Sequence, residues 1–153
     1  MPRHFEVANT VARFFGAVDG QAWSELEALM TPTMHLDYAS FGRSAADLTA
    51  ADVVAGWRAL LPGFDHTHHL LGNLDVSLEG DRASVRAAVT GTHVLDDAHW
   101  VVSGRYEMVV VQHDARWRMS LLRFLYAYQT GPLSLVDEAT RRAATRAESG
   151  KAS

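Results

Sequence analysis

Near the start of the chain, apolar residues recur at helical spacing. Phe5, Val7, Ala8, Val11, Phe14, Phe15 and Val18 form one stripe and predict a helix over 4–18. Asp19-Gly20 breaks it. A second short helix is expected at 21–30, with Trp23, Leu26, Leu29 and Met30 on its apolar side and Thr31-Pro32 as its stop. Residues 33–38 alternate as a short strand, and Phe41 to Leu48 reads as a loop. Thr49 is a natural N-cap for a third helix, with Asp52 at the capping-box position. Val53, Val54, Trp57, Leu60 and Leu61 supply its apolar face, and Pro62-Gly63 ends it.

Beyond that point the period changes to two. Strands are expected at 66–78, 82–95, 99–112 and 116–128, separated by short polar turns suited to antiparallel hairpins. Such long strands predict a strongly curved sheet. A final, weakly packed helix is expected at 133–147. This order favours an α+β domain, three helices over one face of a bent antiparallel sheet, rather than a parallel α/β fold. Residues 1–132 form the expected domain and 133–153 a C-terminal helix and tail. Val109-Val110-Val111 and Leu121-Leu122 make the strands apolar on both faces, which predicts a homodimer or homotrimer.

The 153 residues are 48% hydrophobic and 21% charged, with a net charge of −4. Apart from Arg141, Arg142 and Arg146, expected on a solvated helix face, the basic residues are dispersed. Nucleic acid is therefore not an expected partner. With no cysteine, disulfides and thiolate chemistry are excluded. The absence of a signal-like or membrane-spanning apolar run points to a cytoplasmic enzyme or small-molecule binder.

Four polar residues do not fit a plain core. Asp19 ends the first helix, Tyr38 ends the first strand, and His69 and His93 interrupt apolar strand segments. A buried histidine with a carboxylate partner is an acid–base group tunable near neutral pH. A tyrosine hydroxyl can polarise a carbonyl. Taken singly, each also has an ordinary structural role. His66-Thr67-His68-His69 raises a metal alternative, with His66 and His68 on one strand face and His69 on the other. A third ligand would have to come from His35, His93 or Glu107 by accident of the fold, so no metal is expected.

The segment DGQAWSELEALMTPTMHLDYASF (19–41) resembles the corresponding stretch of scytalone dehydratase. The shared elements are Asp19, Trp23, Thr31-Pro32-Thr33 and Asp37-Tyr38-Ala39-Ser40-Phe41. His69-Leu70-Leu71-Gly72, His93 and Ala115-Arg116-Trp117 match further family positions. Broader SnoaL-like proteins, polyketide cyclases among them, share much of this. The resemblance implies the cone fold of the nuclear transport factor 2-like superfamily. It also implies an aspartate–histidine pair at Asp19 and His93, a second histidine at His69, a hydroxyl at Tyr38 and a pocket aromatic at Phe41. Trp57, Tyr106, Phe124 and Tyr126 are expected to join Phe41 in binding substrate. Val18 stands where the family has a second tyrosine, and Gly104 and Tyr106 where it has serine and asparagine. These departures argue against scytalone itself, and Tyr106 is a candidate for the missing hydroxyl.

The expected activity is that of a cofactor-free dehydratase acting on a cyclic or polyketide-like hydroxy-ketone. His93, held by Asp19, would move protons, His69 would assist, and the carbonyl would be the electron sink. Cyclisation or isomerisation would use the same transfers. A non-catalytic binding or assembly subunit is the alternative from another class.

Overall fold

A computed structural model describes residues 2–151. Met1 and residues 152–153, the ends of the expected domain and tail, lie outside it. The first apolar stripe forms α1 (Pro2–Asp19), which buries Val7, Val11, Phe14, Phe15 and Val18. Full burial of a side chain like Phe14 is worth roughly 2–3 kcal/mol. After α2 (Trp23–Ala28) the chain becomes extended two residues earlier than Thr31-Pro32 suggests, and β1 spans Met30–Asp37. Pro32 is tolerated because the pairing of β1 with its neighbour is irregular between Met30 and His35, so no ladder bond is lost there.

A 3-10 turn (Ala39–Phe41) leads into β2 (Ala45–Thr49), where the sequence suggests only loop. β2 is a short edge strand, and its pairing with β1 fixes it. The Thr49 cap is present: the Asp52 N–H donates to its hydroxyl at 3.1 Å and opens α3 (Ala50–Arg58). A second 3-10 turn, Leu61–Gly63, follows.

The long strands are β3 (His66–Glu79), β4 (Arg82–Leu95), β5 (Ala98–His113) and β6 (Arg116–Thr130). The curved sheet has the order β2-β1-β6-β5-β4-β3. All neighbours are antiparallel except β1 and β6, which run parallel. Alternation on β4 is clean: Ala83, Val85, Ala87, Val89, Gly91, His93 and Leu95 all face the buried side.

The C-terminal helix α4 (Leu135–Lys151) is better anchored than the sequence implies. Leu135, Ala139 and Ala143 are buried. Gly63 lies so close to it that a Cβ there would come within 1.7 Å of the Ala139 carbonyl oxygen. Arg142 and Arg146 pair with Asp65 at 3.0 and 3.6 Å, and Arg146 also donates to the Pro62 carbonyl. Only Arg141 of the three arginines fits a simple solvated face.

Candidate active site

The concave sheet face, α1, α3 and the start of α4 enclose a chamber of about 480 Å³. Its walls are mostly apolar and aromatic, the usual character of a small-molecule site. His69, His93, Tyr38 and Tyr106 all reach it, as do Phe41, Trp57 and Phe124. Tyr126 does not. It packs against Phe41 at a centroid distance of 5.1 Å and is 38% exposed, because the Ala39–Phe41 turn places Phe41 over that part of β6. Ser40 ties this turn to β6, donating to the Phe124 carbonyl at 2.6 Å and accepting from the Tyr126 N–H at 2.9 Å.

The aspartate meets the other histidine. Asp19 stands at the end of α1 beside edge strand β3, and its carboxylate accepts from the His69 ring Nδ1 and the His69 main-chain N–H, each at 2.7 Å. Thr67 Oγ1 donates to it at 3.3 Å. Since a carboxylate only accepts, Nδ1 carries the hydrogen, and in the neutral ring Nε2 is left bare. That Nε2 lies beside Gly91, another chamber residue. Asp19 itself does not line the chamber but faces a second groove of about 460 Å³ between α1 and β3. Burial pushes the Asp19 carboxyl up, but the hydrogen bonds and charge of His69, with Thr67, outweigh this and hold it below the usual carboxylate range.

Among the described residues His93 therefore has no carboxylate partner, contrary to the pairing that the resemblance implies. It is 5% exposed, stacked on Trp100 at 4.4 Å, and its Nδ1 donates to the Trp100 carbonyl at 3.2 Å. Burial, aided by the charge of His69, pushes it down to about 4, so the ring is neutral near pH 7. The two histidine rings meet edge to face at 5.8 Å.

Tyr38 and Tyr106 both line the chamber, close enough to influence each other's ionisation. Burial pushes Tyr38 up to about 12 and Tyr106 well above its ordinary value, so both hydroxyls stay protonated. Tyr106 is fixed by stacking on Phe15 at 4.9 Å. Val18 lines the chamber as an apolar wall.

Two contributors escape a reading of the sequence. Thr67 steadies Asp19, and its position two residues before His69 on one strand is the signal that marks it. Gly91 is a glycine inside a strand, a sign of close approach. A Cβ there would lie 3.4–3.5 Å from both histidine rings. His66 and His68 point outward and are exposed while His69 points in. Among the described residues no group of three or more His, Asp or Glu is placed to hold a metal ion, and no helix is long and apolar enough to cross a membrane.

A half-open α+β cone holding an aspartate–histidine pair against an apolar chamber defines the class. The model of the SnoaL-like domain matches residues 3–123, and the chain belongs to that family, within the nuclear transport factor 2-like superfamily. Among the solved structures that share the fold are the following three. The Kfla4162 protein of Kribbella flavida is 24% identical, with a TM-score of 0.79, over 92% of this chain and 96% of that one. A Novosphingobium aromaticivorans protein, named provisionally as a scytalone dehydratase, is 18% identical, with a TM-score of 0.73, over 85% and 87%. A type 2 hexachlorocyclohexane dehydrochlorinase is 14% identical, with a TM-score of 0.72, over 86% and 89%. A comparison with curated proteins gives no match.

Proposed function

We propose that the protein is a cofactor-independent lyase that eliminates water from a cyclic or polyketide-like hydroxy-ketone. The observation that carries this reading is the Asp19–His69 pair, with the bare Nε2 of His69 beside chamber-lining Gly91. His69 Nε2 takes the proton from the carbon next to the carbonyl. Asp19 holds the ring in the required tautomer and stabilises the imidazolium that forms. Tyr38 keeps its proton and donates a hydrogen bond to the developing enolate oxygen. As the enolate collapses, the β-hydroxyl leaves with the proton from His69, so the proton taken from carbon departs in water. Neutral His93 is a polar wall beside this path and not its base. The names of the two lyase-type neighbours fit such an elimination. Cyclisation or isomerisation would begin with the same proton abstraction.

The test is a panel of cyclic β-hydroxyketones, followed by enone absorbance and by deuterium uptake at the α-carbon in heavy water. Enone formation lost in His69→Gln supports the reading. Deuterium uptake without enone would replace dehydration by isomerisation. Neither signal from any member of the panel would favour the binding-subunit alternative.

A further inference from the structure

The polar groups of the chamber fall into two sets. The histidines and tyrosines form one. The other comprises Arg43 and Ser44, on the loop between β1 and β2, and Asp52 in the first turn of α3. Among the described residues, Arg43 is the only arginine or lysine that lines the chamber.

Its backbone position is fixed. The Tyr38 N–H donates to the Ser44 carbonyl at 3.0 Å, and the Arg43 N–H donates back to the Tyr38 carbonyl at 3.1 Å. Gly42, at φ +74°, allows the chain to double back. The loop thus keeps Arg43 beside the residue that would hold the substrate carbonyl. Its guanidinium makes no ion pair or side-chain hydrogen bond among the described residues, and Asp52, although it shares the chamber, does not neutralise it.

We propose that Arg43, exposed at the mouth of the chamber, determines specificity by binding a carboxylate that the substrate presents there. This rests on the chamber being the substrate site, as proposed above. A guanidinium offers a carboxylate two parallel N–H donors. The apolar walls between the two polar sets accommodate the ring itself. Asp52 opposes the anion and keeps the preference moderate.

The test is calorimetric titration with naphthoate and with its uncharged isostere naphthamide. Wild-type protein should bind naphthoate about twofold to fivefold more tightly, the range expected of an exposed charge pair. Arg43→Gln should bring the ratio to about one while leaving naphthamide affinity unchanged, which also reports an intact chamber. Asp52→Asn should increase the ratio. Equal binding of both ligands to wild type, or a preference that survives Arg43→Gln, overturns the assignment of Arg43 alone. Binding of neither ligand to wild type overturns it together with the reading of the chamber.

Discussion

Asp19 holds His69 at two points, the ring nitrogen and the main-chain N–H, each at 2.7 Å. The double attachment fixes both the strand and the ring. Asp19→Asn keeps the shape and an oxygen for the main-chain N–H, but it sets an amide N–H against Nδ1. The ring should then carry its hydrogen on Nε2, where a base cannot use it. Turnover should fall roughly 10²–10³-fold, and Asp19→Asn/His69→Gln should be little worse than either single change. Imidazole ¹⁵N shifts should show the tautomer switch without any substrate. An unchanged tautomer with normal turnover would reduce Asp19 to a helix-end residue.

His93 makes stability depend on pH. Its folded-state value, pushed down to about 4, lies below the ordinary 6.5. Between these values the unfolded chain binds more protons, so acid favours unfolding. The contribution is complete above pH 6.5 and is lost as pH falls to 4, amounting to about 3 kcal/mol at most. Asp19, held below 3.8, acts in a lower window, losing its contribution only as pH falls through that range. Urea titrations from pH 7 to 4 should show the decline, and His93→Gln should flatten it. A wild-type profile without slope there would mean that the ring is not kept neutral.

Gly91→Ala tests whether the space between the histidines matters. The added methyl makes ordinary contact with both rings at 3.4–3.5 Å, so stability should change by less than about 1 kcal/mol. Turnover or ligand affinity should nevertheless drop by tenfold or more. Gly104→Ala is the contrasting case: its Cβ would come within 2.1 Å of the Leu125 carbonyl oxygen, and the melting temperature should fall sharply. Equal melting temperatures for the two variants would contradict this account.

The convex side of the sheet bears on assembly. Leu70, Thr90, Ser103 and Tyr128 form one cross-strand row whose ends, Leu70 and Tyr128, are 62% and 58% exposed. We expect a homodimer or homotrimer that covers this row. Sedimentation at micromolar concentration should give a mass above one chain, and Leu70→Glu/Tyr128→Glu should return it to one. A monomeric wild type would end this expectation.

Periodicity reveals the long strands and α1 because each buries one continuous face. It misses β2, whose five residues, Ala45–Thr49, alternate between exposed and half-buried with little apolar contrast. The four polar candidates are legible as exceptions to that periodicity, but the partner of Asp19 is not. His69 and His93 both face inward, and Asp19 meets the edge strand β3 instead of β4 because α1 packs against β3, a long-range contact. Tyr126 fails as a pocket residue for a similar reason, because the turn carrying Phe41 lies over it. The anchoring of α4 depends on Gly63 and Asp65 meeting a distant helix, which no local pattern encodes.

The parallel junction of β1 and β6 sets a timetable for biosynthesis. Its Asp37–Arg123 ion pair, at 2.9 Å, joins residues 86 positions apart. By contrast, β3 to β6 are joined by tight hairpins and can assemble in the order in which they leave the ribosome. β1, paired only with β2, must wait with its other edge open until β6 has been made. Because the cost of closing so long a loop rises only logarithmically, the delay weighs more on folding rate than on final stability. Tyr38, at the end of β1, can meet Phe124 and Tyr106 only at that late stage. The nascent chain should therefore gain ligand-binding capacity abruptly, once β6 has emerged and paired with β1.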